Sequence, residues 1–128
     1  MGTAIPREGS AVIYLRSCGN ELDPRQHSEC LRIAERSNLT VLRVYRDIGT
    51  PARLERQTDL QSLLDDLAQL RDARYVIVWN YPRIGHDLAQ INDVSARLHA
   101  CDAEIMTITG VEAAARFIQG RIDDDGRR

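Results

Sequence analysis

A chain of 128 residues with 43% hydrophobic and 28% charged content has the material for one globular domain with a single core and leaves no room for a second. Its formal net charge of -2 excludes a global positive field that would hold the protein on nucleic acid by counterion release, so any DNA contact must be local or supplied by a partner. No apolar run approaches the roughly 20 residues that span a bilayer, and no basic segment followed by an apolar one opens the chain, which points to a cytoplasmic protein with no membrane contact.

The first 10 residues are expected to be an N-terminal extension. Ala11 to Leu15 is a short apolar run behind Glu8-Gly9-Ser10, the pattern of a strand buried on both faces of a parallel sheet. After the loop Gly19 to Leu22, Asp23-Pro24-Arg25-Gln26 reads as an N-cap, a proline at the first helical position and a glutamine closing a capping box. The helix that starts there carries Cys30, Leu31, Ile33 and Ala34 and ends near Ser37.

Thr40 to Tyr45 is β-branched and apolar and predicts the second strand, followed by a polar loop from Arg46 to Gln57 that contains Gly49 and Pro51. Thr58 is placed to cap a second helix whose Leu60, Leu63, Leu64, Leu67 and Leu70 follow helical spacing. Tyr75 to Trp79 predicts the third strand, and the turn Asn80 to His86 leads into a helix from Asp87 to Ala100 with Leu88, Ile91, Val94 and Leu98 facing inward. Glu104 to Thr109 predicts the fourth strand, Gly110 stops it, Val111 to Ile122 predicts a last short helix, and 123–128 a disordered charged tail. Alternating strands and helices with right-handed crossovers imply an α/β fold of three layers: a mostly parallel sheet of about four strands with helices on both faces.

In such sheets ligands bind beyond the carboxyl ends of the strands. Three segments converge there, 16–20, 46–57 and 80–86, and they bring Arg16, Cys18, Arg46, Arg53, Arg56, Arg83 and His86 to one edge, a cluster able to hold an oxyanion. Residues two apart in a strand share a face, so Tyr14, Arg16 and Cys18 point one way and Ser17 the other. All 17 basic residues are arginine, which suits bidentate phosphate contacts, although a GC-rich genome produces the same bias. Cys18, Cys30 and Cys101 are odd in number and far apart, with no nearby histidine spacing; no metal site and no cofactor is expected, and two of the thiols read as core residues.

These residues resemble a known family. Tyr14-Leu15-Arg16-Ser17-Cys18 is similar to the Tyr-x-Arg-Val-Ser strand of serine recombinase catalytic domains, and Gln26-His27-Ser28-Glu29-Cys30 to the helix that follows it. Asp47-Ile48-Gly49 matches the family's Asp-x-Gly loop, Gln57-Thr58-Asp59-Leu60 falls on its Arg-Pro-Gly-Leu helix start, and 79–86, running from Trp79 to His86, falls on its Trp-Lys-Leu-Asp-Arg-Leu-x-Arg turn. The resemblance runs from Ala11 to about Gly110, within a catalytic domain expected over 11–122, and implies the resolvase catalytic-domain fold, action on DNA in a homo-oligomer or beside a recombinase partner, and attack of a strand-end hydroxyl on a phosphodiester with arginines stabilising the transition state.

Carried over residue by residue, the resemblance puts Arg16 and Arg83 on catalytic arginines, Cys18 on the nucleophile and His86 on a further arginine. Gln57 replaces an arginine, and Pro82 an aspartate. Arg56, one residue before the expected place, is an alternative arginine, and Ser17 is an alternative nucleophile whose hydroxyl would need a bulge to reach the Arg16 face. Removing one preorganised donor costs about 10² to 10³ in rate, so several replacements together imply impaired or lost strand cleavage. Three readings stay open: a recombinase enzyme domain, a non-catalytic binding or regulatory module on the same fold, and an α/β protein that binds a small anion. A cysteine phosphatase is disfavoured because the loop after Cys18 carries Glu21 and Asp23 and no glycine-rich cradle. Arg16 and Arg83 would equally suit ion pairs with Asp47 or Glu55, and His86 a bare helix start. The family continues past its fourth strand into a long helix and a DNA-binding domain, whereas 111–122 supplies about three turns, so weak DNA binding by this chain alone is expected.

Overall fold

The computed structural model describes residues 7–108; the expected last helix, the charged tail and the first six residues lie outside them. Four strands, β1 (Ser10–Ser17), β2 (Thr40–Ile48), β3 (Tyr75–Val78) and β4 (Glu104–Thr107), form one parallel sheet in the order β2-β1-β3-β4. Helix α1 (Pro24–Arg36) covers one face, and α2 (Thr58–Leu70) and α3 (Leu88–His99) cover the other. The α/β architecture read from the alternating pattern is therefore present, with every strand pair parallel.

The apolar run in β1 is the centre of this arrangement. Ala11, Ile13 and Leu15 face α1 with Cys30, Ile33 and Ala34, while Val12 and Tyr14 face α2 and α3 with Leu60, Leu63, Leu64, Leu67, Val94 and Leu98. Each of these large side chains, taken out of water, contributes about 1.5 to 3 kcal/mol. Leu70 and Leu88 depart from the helical-spacing expectation, at 56% and 71% exposed. Leu70 is the last residue of α2 and Leu88 the first of α3, so both sit at helix ends.

Of the two predicted caps, that of α2 is corrected and that of α1 holds in part. Thr58 does not cap α2; it is already the first helical residue, and the preceding Gln57 makes no side-chain capping bond. The free amides of Asp59 and Leu60 are instead taken by the buried carboxylate of Asp47 on β2, at 3.0 Å each. A strand residue thus closes the helix start, satisfying donors that a helix N-terminus otherwise leaves open. In α1, Asp23 caps as expected, accepting from Arg25 N at 2.9 Å, but Gln26 does not complete a capping box.

Gln26 is buried and turns to β1, where its Oε1 accepts from Arg16 N at 3.3 Å and its Nε2 donates to Arg16 O at 3.0 Å. The reason lies in the sheet: β1 pairs with β3 only from Ala11 to Ile13 but with β2 through Ser17. The carboxamide stands in for the missing strand partner. Gln26→Ala is expected to strand both backbone groups and cost about 2 kcal/mol in urea unfolding, while Gln26→Glu, which keeps only the acceptor, falls between.

Candidate functional site

The carboxyl ends of β1, β2 and β3 end on one side of the sheet, and the chain beyond them encloses a cleft of about 480 Å³. Its walls are Arg16 from β1 and Cys18 just past its end, Pro51, Ala52 and Arg53 from the loop after β2, and Pro82 and His86 from the loop after β3. Gly49, at φ 69°, makes the turn out of β2 in the left-handed region that favours glycine. That turn brings Thr50 back so that its N–H donates to Ser17 O at 3.0 Å.

Arg16 sits at the junction of all three segments and is only 4% exposed. Its Nε donates to Arg83 O at 3.0 Å, Nη1 to Thr50 O at 2.8 Å and Nη2 to Pro82 O at 3.1 Å; Nη1 also reaches Cys18 Sγ at 3.0 Å. A guanidinium has five N–H donors in a rigid fork, and four are committed here. The expected pairing of Arg16 with Asp47 or Glu55 is thus replaced by three backbone carbonyls, because Asp47 is already taken by Tyr14 and α2.

Cys18 follows Arg16 onto the cleft side and is the exposed cysteine of the chain, whereas Cys30 and Cys101 are buried, as read from the sequence. Burial pushes the Cys30 thiol up to about 12, which leaves it unreactive near neutrality. Ser17 lies on the opposite side, with its hydroxyl against Gly19 O at 2.9 Å and Glu21 O at 2.8 Å. A register slip in the β1–β2 pairing does exist, but it falls between Ala11 and Val12, too far away to rotate Ser17.

The remaining candidate cations divide. His86 lines the cleft, its backbone N–H and Nδ1 both directed at Ala52 O, at 3.3 and 3.0 Å. Arg83 contributes its carbonyl to Arg16 and is not among the lining side chains; its Nε is buried without a partner. Its charge reaches Asp23, whose carboxyl is held below the usual range chiefly by hydrogen bonds from Arg25 and, in smaller part, by the charges of Arg25 and Arg83. The expected ion pairs of Arg83 with Asp47 or Glu55 do not form. Arg56 ends a 3₁₀ turn, Leu54–Arg56, with its side chain exposed and away from the cleft. The arginine of that loop which does line the cleft is Arg53.

Gln57, in the slot of a family arginine, is fully buried. Its Nε2 lies within bonding distance of Tyr14 Oη at 3.0 Å, Arg83 O at 3.1 Å and Ile84 O at 3.2 Å, and its Oε1 accepts from Gln90 Nε2 at 2.8 Å. Tyr14 passes the chain on, donating to Asp47 Oδ2 at 2.8 Å. Burial, reinforced by the Asp47 carboxylate, drives the Tyr14 phenol far above its ordinary value, so it remains a protonated donor and offers no phenolate nucleophile. Gln90 ties the network to the loop after β2: its Oε1 accepts from Leu54 N at 3.0 Å, while Nε2 also reaches Ile84 O at 2.7 Å.

The Gln90 contacts had no signal in the sequence, and Arg53, although placed in the converging cluster, had none that singled it out. Gln90 lies on α3, which reads as a plain amphipathic helix, and Arg53 sits among several arginines with no spacing to distinguish it. Asp47 was visible as part of an Asp-x-Gly loop, but its role as a helix cap depends on a contact across 12 residues of sequence.

Residues 11–122 match the family model described as the resolvase N-terminal domain. Among solved structures, the chain is similar to the N-terminal catalytic domain of TP901-1 integrase, with a TM-score of 0.73 and 16% identity over 92% of this chain and 96% of that one. It is also similar to a resolvase family site-specific recombinase from Streptococcus pneumoniae, with a TM-score of 0.67 and 13% identity over 89% and 90% of the two chains. A third is the C-terminal catalytic domain of ISC1926 TnpA, an IS607-like serine recombinase, with a TM-score of 0.66 and 18% identity over 77% and 69%. The TM-scores establish the shared fold. Among curated proteins no sequence matches.

Proposed function

Because the chain belongs to the family of resolvase N-terminal domains, we propose that it is a serine-recombinase-type domain of site-specific DNA recombination whose cleft engages a DNA phosphodiester but whose strand-cleavage chemistry is impaired or lost. The carrying observation is the use made of Arg16. In phosphoryl transfer a guanidinium must offer N–H groups to the developing charge. Here it is buried and holds Arg83 O, Thr50 O and Pro82 O together, so it acts as the frame of the cleft.

The other slots agree. Gln57 is neutral and sealed in the network under the cleft, and the nucleophile position presents the Cys18 thiol. A thiolate attacking phosphorus would form a phosphorothioester, with a deoxyribose 3′-oxygen leaving and needing its charge stabilised or a proton supplied. His86 is the nearest group by chemistry to supply one, but its Nδ1 faces Ala52 O and its Nε2 lies 3.5 Å from Asp87. Ser17 is farther from such a role, its hydroxyl held by two carbonyls on the α1 side. The domain binds DNA weakly alone and works within a homo-oligomer or beside a recombinase partner.

The test is a denaturing gel after incubation with supercoiled DNA. No covalent protein–DNA band is expected. A band that persists in denaturant and disappears with Cys18→Ala would establish an active thiol nucleophile, and one that disappears with Ser17→Ala would place the chemistry on the serine; either overturns the loss of cleavage.

A further inference from the structure

Of the three basic side chains lining the cleft, two are already occupied by the protein itself. Arg16 is bound to backbone carbonyls, and the His86 ring is set against Ala52 O. Arg53 is different: among the described residues its guanidinium makes no ion pair and no side-chain hydrogen bond, and it lines the same cleft as Cys18 and Pro82, next to Ala52 in the loop after β2. Arginine carries a full charge and a planar donor fork matched to two phosphate oxygens.

Its placement is fixed by the backbone. Arg53 N donates to Pro51 O at 2.8 Å, and Arg53 O accepts from Arg56 N at 2.8 Å and Gln57 N at 3.1 Å, which starts the 3₁₀ turn at that point. The next amide, Leu54 N, is held by Gln90 Oε1 at 3.0 Å. Gln90 itself packs against Gly85, where a Cβ would meet its side chain at 3.0 Å, so the loop after β3 is shaped to admit it. The same 3₁₀ turn that fixes Arg53 at the cleft carries Arg56 away from it.

We infer that Arg53 is the residue that binds the substrate phosphate in this cleft, in place of Arg56, by a bidentate guanidinium contact to the non-bridging oxygens of a phosphodiester. This rests on the reading that the cleft takes a DNA phosphodiester. It assigns the charge in that contact to a position outside the family motif segments matched in the sequence. Arg16 and Gln90 then act as positioning residues that set the two walls between which the phosphate lies.

Cys18 provides a reporter inside the site, because it is the exposed thiol of the three. The rate of its alkylation by iodoacetamide is to be measured on the full chain with increasing concentrations of a short DNA duplex at low ionic strength. In the wild type, duplex is expected to slow alkylation at Cys18. Arg53→Gln should raise the half-protecting duplex concentration about tenfold, the worth of one charge-assisted contact, with Arg53→Lys between the two and Arg56→Gln close to wild type. Protection that survives Arg53→Gln unchanged, or is lost in Arg56→Gln, overturns the assignment while leaving the cleft as the DNA site. A wild type that duplex never protects overturns the phosphodiester reading itself, and the assignment with it. Arg53 is exposed, so its variants keep the fold, which an unchanged urea midpoint verifies.

Discussion

Replacing Asp47 by alanine is expected to destabilise the protein by about 4 kcal/mol, a large part of the roughly 5 to 15 kcal/mol that holds a domain of this size together. The carboxylate is 4% exposed and serves three donors at once: Tyr14 Oη, Asp59 N and Leu60 N. Removing it leaves two amides at the start of α2 and a buried phenol with nothing to donate to. Water cannot replace it without opening the contact between β2 and α2. Alanine substitution of an ordinary N-cap costs about 1 kcal/mol, and the buried Tyr14 hydroxyl adds a penalty of similar or greater size. Urea unfolding should show a lower midpoint with an unchanged slope. Asp47→Asn, which retains acceptor capacity but sets an NH₂ against donors, should lose about 2 kcal/mol. A loss below about 1 kcal/mol in Asp47→Ala would mean that the cap contributes no more than an exposed one.

Arg16→Ala is expected to cost about 3 kcal/mol, and this separates a framing role from a purely catalytic one. A side chain present only for chemistry can be truncated with little loss of stability, and active-site truncation often leaves stability unchanged or improved. Arg16 is bound to segments that lie far apart in sequence, at Thr50, Pro82 and Arg83, so its loss should release the loops after β2 and β3 together. Arg16→Lys should recover only a part, since a tetrahedral ammonium cannot reach carbonyls arranged around a flat fork. Unchanged unfolding midpoints in both variants would return Arg16 to the role of a substrate-facing group.

Most of the fold was legible because β1 and α2 carry patterns that admit one reading. A five-residue apolar run behind Gly9 is too short for a buried helix and fits a doubly buried strand, and leucines at helical spacing define the inner face of α2. Strand ends were less legible. β2 continues to Ile48, three residues past the predicted end, because Asp47 is polar yet buried, and its reward is a helix 12 residues on. The same holds for Gln26, whose local sequence suits a capping box but whose partner is the unpaired backbone of β1.

The site was readable as far as strand alternation reaches. Alternation put Arg16 and Cys18 on one side and Ser17 on the other, and the geometry agrees. What it could not give is which loop arginine enters the cleft. Arg53 and Arg56 differ by one 3₁₀ turn, and the turn is set by Gln90 and Arg53 O, neither of which carries a local signal.

The two walls of the cleft share their fastenings: Arg16 grips Thr50 on one side and Pro82 and Arg83 on the other, and Gln90 joins Leu54 to Ile84. Neither loop can swing out without breaking both. The pair therefore behaves as a single cooperative unit, whose amides should exchange with solvent in concert. A ligand entering it meets a shape already set, and loses no affinity to ordering the loops around itself.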